Sequence, residues 1–119
     1  MARILVVDDS PTMLKATTKV LEKGGHQVIT AASGEEGIEM ANSEKPALIF
    51  MDLVMPGISG FEATRAITTS PETREIPVVI LTTKDQETDK VWAKRQGAID
   101  FIVKPPGPTL LHIIDSLLD

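Results

Sequence analysis

Short apolar runs alternate with amphipathic stretches along the chain, regularly enough to name elements. Arg3–Val7 (RILVV) is a strand-like run that stops at Asp8-Asp9. Ser10-Pro11 offers a helix start, because serine caps and proline is tolerated at the first helical position. That helix turns Met13, Leu14, Thr17 and Leu21 inward and stops at Gly24-Gly25. Gln27–Thr30 is a short second strand, and Gly34–Ser43 a second helix with Ile38 and Ala41 inward. Ala47–Met51 is the third strand, followed by a helix over Phe61–Thr69 that is entered through Gly60. Pro77–Leu81 is so uniformly apolar that both faces of this fourth strand must be covered. Asp85–Gln96 is predicted as the fourth helix, ended by Gly97, and Ile99–Val103 as the fifth strand. Leu110–Leu118 closes the pattern with an apolar stripe of Leu110, Ile113, Ile114 and Leu117.

Five strands alternating with five helices predict an α/β fold, a doubly wound parallel sheet covered by helices on both faces. The length of 119 residues suits one domain with one respectable core, and neither a linker nor a second domain is expected. With 12 basic against 17 acidic residues the formal charge is -5, so nucleic acid is an unfavourable direct partner. Cysteine is absent, which removes disulfide frameworks and thiolate metal sites and suits a reducing, cytoplasmic location. No apolar run approaches the roughly 18 to 20 residues that cross a bilayer. The opening Met1–Val7 meets Asp8 too soon for a signal peptide.

In parallel sheets of this kind, ligands collect outside the carboxyl ends of the strands, near the point where strand order reverses. Those ends deliver Asp8 and Asp9 from the first strand, Asp52 from the third, Thr82 from the fourth and Lys104 from the fifth. Three close carboxylates repel, each pair by about 4 kcal/mol at 4 Å and an effective dielectric near 20. Such a site protonates one acid or binds a cation. An all-oxygen set that leaves room for water and phosphate suits Mg2+. Capping alone is the plainer reading of Asp8 and Asp9, but Ser10 already fits that role. Thr82 alone would be a backbone-bonded strand-end hydroxyl, and Lys104 alone a solvated charge. Their joint placement is what carries the reading.

The stretches ILVVDDSPT, LIFMDLVMPGISGFEATR, PVVILTT and GAIDFIVKP resemble, together and in order, the receiver domain of two-component response regulators. The resemblance spans essentially the whole chain. It implies the CheY-like strand order 2-1-3-4-5. It also implies that Asp52 accepts a phosphoryl group from a phosphohistidine on a partner kinase. Mg2+ would be held by Asp9, Asp52 and the backbone carbonyl of Val54, with Asp8 acting through water. Lys104 would pair with a phosphoryl oxygen, and Thr82 would donate its hydroxyl to another once phosphate is present. Catalysis of this kind is mostly positioning and charge neutralisation. The resemblance also suggests a cis Lys104–Pro105 peptide aiming the lysine inward. It implies no enzymatic turnover beyond phosphotransfer and self-dephosphorylation.

The expected output is conformational. Thr82 moving toward phosphate would vacate space for the Phe101 ring, repacking the fourth helix, fifth strand and fifth helix, where a protein target would dock. Many family members carry tyrosine at position 101; phenylalanine lacks the hydroxyl, and the alternative is a fixed core ring. Val54 and Lys84 flank the approach of a hydrolytic water, and neither is a good base or amide there, so slow self-dephosphorylation is expected. No effector domain is expected after Asp119, which points to a monomer that docks or passes phosphate onward. The stretch TTKDQETDKVWAKRQGAIDF most resembles single-domain receivers of type IV pilus chemosensory systems, the PilH kind, whose phosphodonor is a CheA-like kinase. Trp92 either packs against the sheet edge or stands out as a partner anchor. Pro105-Pro106-Gly107-Pro108 is stiffer than the family's usual approach to the last helix, and Pro106 stands where a larger side chain often packs.

Three rivals make different demands. A non-phosphorylated pseudo-receiver, acting only as an interaction module, predicts loss of an acid, the hydroxyl or the lysine, and all are present. A haloacid-dehalogenase-type hydrolase needs an acid two residues after Asp8, where Ser10 stands. A flavin module needs a phosphate cradle after the first strand, where two acids would repel the cofactor.

Overall fold

Ile4, Leu5, Val6 and Val7 are all buried, as a strand covered on both faces requires. They belong to β1 (Arg3–Val7), and the computed structural model, which describes residues 2–104, 107 and 109–118, continues the alternation through Leu118. The remaining elements are α1 (Pro11–Lys23), β2 (Gln27–Ala31), α2 (Gly34–Glu44), β3 (Leu48–Met51), α3 (Gly60–Thr69), β4 (Val78–Thr82), α4 (Glu87–Arg95), β5 (Asp100–Val103) and α5 (Thr109–Leu118). All strand pairs are parallel, in the order β2-β1-β3-β4-β5, the order that the receiver resemblance implies.

The two-residue period of the strands divides the core into two layers. Leu5, Val7, Ile49, Met51, Val78 and Ile80 face one side, where Ala41, Ala63, Ile67 and Ala93 bring in α2, α3 and α4. Ile4, Val6, Leu48, Phe50, Val79 and Leu81 face the other, against Leu21 of α1 and Leu110 and Ile114 of α5. Met13 and Leu14 are only half-buried, and Thr17 and Leu21 carry the inner face of α1.

Local chemistry sets the helix starts. The Ser10 side chain accepts from the Met13 amide at 3.3 Å, as expected for the cap of α1. Ser59 opens α3 with a reciprocal capping box, its hydroxyl accepting from the Glu62 amide at 3.2 Å. α4 departs from expectation. It begins at Glu87, not Asp85, and ends one residue early at Arg95. Gln86 makes no side-chain cap bond, and Ala93 is the helix's buried residue, so little draws its first turn onto the sheet. The strands also shift by a residue at several ends, β4 taking in Thr82 and β5 starting at Asp100. The expectations about Pro105, Pro106 and Pro108, including the cis peptide, lie outside the described residues.

A candidate phosphoacceptor site at the carboxyl edge of the sheet

Strand order reverses between β1 and β3, and the register there is decisive. Val7 lies opposite Met51, so the next residues, Asp8 and Asp52, leave the sheet side by side. The Asp52 amide donates to the Val7 carbonyl at 3.0 Å, and the Asp8 amide to the Ala31 carbonyl at 3.0 Å. Thr82 lies opposite Val103, and the Lys104 amide donates to the Thr82 carbonyl at 2.8 Å. Backbone pairing therefore delivers all these residues to one edge before any side chain interacts.

The side chains converge as the sequence suggests. Ligand oxygens of Asp8, Asp9 and Asp52 lie within 4.8 Å of one another. Asp8 and Asp52 are buried and Asp9 is exposed. Lys104 Nζ lies 3.5 Å from Asp52 Oδ2 and is ion-paired with Asp8 Oδ2, its own side chain only 4% exposed. The receiver resemblance pairs the lysine with a phosphoryl oxygen and does not give it Asp8 as partner. Asp8 also accepts from the Ser10 amide at 2.9 Å, so it orders the start of α1 while facing the lysine. Thr82 is fully buried, and its hydroxyl lies 3.5 Å from the Lys84 amide.

Burial pushes the Asp52 carboxyl above its ordinary range, and the neighbouring Asp8 charge adds to the rise. The Thr82 hydroxyl, the Lys104 cation and the Leu53 amide, which donates to Asp52 Oδ1 at 2.9 Å, all oppose it. A consequence for stability follows in sign. The folded carboxyl keeps its proton to a higher pH than the unfolded one, so stability falls as pH rises from the ordinary carboxyl range through the raised value. Asp52→Asn is expected to remove that slope and to melt above wild type at neutral pH in metal-free buffer. Thermal melts from pH 4 to 8 check this, and identical profiles for the two proteins would contradict it.

The donor set fits a small hard cation. Ligand oxygens around an octahedral ion at about 2.05 Å stand roughly 2.9 to 4.1 Å apart, so the three acids need only modest adjustment to reach it.

Other expectations resolve unevenly. The Val54 residue is 61% exposed, open to the solvent beside Asp52. Lys84 reaches Asp89 at 3.9 Å. Phe101 is half-buried against the cluster beneath α2, α3 and α4. Trp92 is 52% exposed, and Ala93 takes the sheet-facing position instead; the reading of Trp92 as a residue packed on the sheet edge is corrected. Two supports went unnoticed in the sequence. Glu35 of α2 accepts from the Ile58 amide at 3.4 Å, beneath the loop that follows Asp52. Gly60 lies so close to Asp52 that a Cβ there would stand 2.0 Å from its carbonyl oxygen.

A doubly wound five-stranded sheet with three acids, a hydroxyl and a lysine at its carboxyl edge defines the CheY-like receiver class. The profile of the response regulator receiver domain matches residues 4–114, and the chain belongs to that family. It is 57% identical over 119 residues to protein PilH of Pseudomonas aeruginosa, covering 99% of this chain and 98% of that protein. It is 39% identical over 106 residues to the alkaline phosphatase synthesis transcriptional regulatory protein PhoP of Bacillus subtilis. That match covers 89% of this chain but only 43% of the regulator. Among solved structures, the Vibrio cholerae chemotaxis protein CheY4 superposes with a TM-score of 0.91 at 33% identity, covering 98% of both chains. Among the described residues no helix is long and apolar enough to cross a membrane.

Proposed function

We propose that the chain is a phosphoaccepting response regulator whose phosphorylated residue is Asp52. The observation that carries this is the cluster of Asp8, Asp9 and Asp52 oxygens within 4.8 Å, with Lys104 3.5 Å from Asp52. An Asp52 carboxylate oxygen attacks phosphorus in a phosphohistidine; the P–N bond breaks, and the imidazole nitrogen leaves and takes up a proton. Lys104, buried beside the acceptor, is placed to exchange carboxylate contact for a phosphoryl oxygen as a compact point charge. The Thr82 hydroxyl, next to the same carboxylate, can donate to a second oxygen. Asp8, Asp9, Asp52 and the Val54 carbonyl are the groups that would hold Mg2+, whose contribution is to neutralise charge on the transferring group.

The donor fitting this reading is a CheA-like histidine kinase, as the likeness to PilH supports, in a pilus or twitching-motility chemosensory system. The output is docking of a protein target on the α4, β5 and α5 face, or use of the domain as a phosphate sink. Val91, Trp92, Ile99 and Val103 leave apolar surface exposed on α4, β5 and the turn between them. The receiver acts as a monomer in the cytoplasm.

Incubation with Mg2+ and acetyl phosphate, followed by intact mass, tests the core of this reading. Wild type is expected to gain one phosphoryl group and Asp52→Asn none; equal labelling of both would end it. The lifetime of the acyl phosphate is a second measurement. The exposed Val54 side chain cannot hydrogen-bond a hydrolytic water, and Lys84 offers neither an amide nor a carboxylate to orient one. The Val54→Asn, Lys84→Glu double variant is expected to lose phosphate several-fold faster than wild type, and equal decay rates would refute this account of the lifetime.

A further inference from the structure

At the opposite edge of the sheet, before β4 begins, lies a cavity of about 450 Å3 that the phosphoacceptor chemistry does not use. Arg65 of α3, Arg74 of the α3–β4 connection and Arg95 of α4, all exposed, line it together with the apolar residues Ile76, Pro77 and Ile99. The chain as a whole carries a charge of -5, so three arginines lining one hollow depart from its overall balance. Among the described residues none of the three lies within 4.0 Å of a carboxylate, although Glu75 also lines the cavity. An anion seated in the hollow would be attracted by all three arginines.

Trp92 bears on the same place. The Arg95 guanidinium lies over the Trp92 ring at 5.4 Å from its centroid, a cation–π contact that restrains the arginine at the rim. A restrained guanidinium loses less conformational freedom on binding than a free one. The exposed tryptophan thus has a local task besides any partner contact.

We propose that this cavity binds a small organic anion carrying adjacent phosphate groups on an apolar body, of nucleotide size. Planar guanidinium forks match phosphate oxygens bidentately, which favours phosphates over a dispersed acidic surface. The cavity volume lies in the range of small-molecule sites and is too small for a folded partner. The apolar residues Ile76, Pro77 and Ile99 give the uncharged part of the ligand somewhere to lie. The site is distinct from the acidic cluster. Ile76 and Pro77 precede the first residue of β4 and Thr82 is its last, and the strand between spans about 13 Å at 3.3 Å per residue.

Trp92 also supplies the readout. It is the chain's single tryptophan, and there is no tyrosine, so emission excited at long wavelength reports on the residue beside Arg95. ADP, pyrophosphate and adenosine are titrated into the Asp52→Asn protein in EDTA and low salt, which keeps metal and phosphotransfer out of the signal. ADP is expected to give a saturable change that moves to at least tenfold higher concentration in Arg65→Ser, Arg74→Ser. Both substitutions leave the Trp92–Arg95 reporter intact. Adenosine is expected to give no saturable change, and pyrophosphate to bind at least tenfold more weakly than ADP. An ADP response unaffected by the double substitution, no saturation by ADP in the millimolar range, or adenosine matching ADP would overturn the proposal. Pyrophosphate as tight as ADP would overturn the part given to the apolar residues. Amide shifts at Gly97 and Ile99 in the same titration place the ligand; shifts confined to the Asp8 and Asp52 edge would also overturn it.

Discussion

Gly60→Ala is expected to cost about 3 kcal/mol of stability and to lower Mg2+ affinity by roughly tenfold, although a single methyl group is added. The usual effect of this substitution in a helix runs the other way, since alanine is favoured over glycine by up to about 1 kcal/mol. Position 60 is the first residue of α3, so propensity alone predicts a gain. The contacts decide against it. An added Cβ would stand 2.0 Å from the Asp52 carbonyl oxygen, 2.7 Å from Leu53 Cα and 2.8 Å from the Asp52 carbonyl carbon. All three are backbone atoms, so no side chain can rotate away. The Gly60 amide also donates to the Leu53 carbonyl at 2.9 Å, which ties the two segments together. The methyl group must push either α3 off the sheet or the end of β3 out of register with β1, and the second motion displaces Asp52. Urea unfolding gives the stability change, and a Mg2+ titration followed by amide shifts gives the affinity. A variant at least as stable as wild type, with unchanged Mg2+ binding, would show that the turn has more room than these distances allow.

How far the sequence reaches is best judged at particular residues. The two-residue period of the strands and the punctuation at Gly24, Gly60 and Gly97 made the order of elements legible, because burial and backbone freedom are local signals. The gathering of Asp8, Asp9, Asp52, Thr82 and Lys104 was legible for a different reason. Parallel pairing sends every strand's carboxyl end the same way, so strand-final residues are neighbours whatever lies between them. The start of α4 was not legible: Asp85 looks like a helix beginning, but a helix that buries little beyond Ala93 has its ends set by weak forces. The exposure of Trp92 escaped for the same reason. A stripe of Thr88, Val91, Trp92 and Arg95 gives no sign of which side faces the sheet until Ala93 is seen to take that side. The closeness of Gly60 to Asp52, and of Glu35 to the Ile58 amide, are contacts between segments whose separation no local pattern encodes. The receiver resemblance supplied roles that charge and spacing left open, the place of the Val54 carbonyl above all.

Lys104→Met gives the second large effect, and it separates two ways of holding acids together. Asp8 and Asp52 are buried, and the lysine that faces both is itself almost fully covered. Removing one member of a buried charge group leaves the others uncompensated, which costs about 3 to 5 kcal/mol in typical cases. Methionine keeps most of the stem's volume, so little of the loss belongs to packing. The expected loss is about 3 kcal/mol in EDTA, at the low end of that range, because the Asp52 side chain keeps 11% of its surface exposed and can take up a proton. Mg2+ is expected to return more stability to the variant than to wild type, since in the variant the ion is the sole cation facing the acids. A ligand at ten times its dissociation constant adds about 1.4 kcal/mol to the folded state. Lysine and divalent ion therefore compete for the same negative charge, and the variant should bind Mg2+ more tightly while phosphorylating far more slowly. That opposition distinguishes a charge-balancing lysine from a merely structural one, which would weaken folding and metal binding together. Urea unfolding of wild type, Lys104→Met and Lys104→Met, Asp52→Asn, each with and without Mg2+, measures the coupling. The double variant is expected to regain much of the lost stability, because it no longer buries two unpaired acids. If the single variant binds Mg2+ no better than wild type and Asp52→Asn restores nothing, the lysine does not balance these acids and the account of the site fails at its centre.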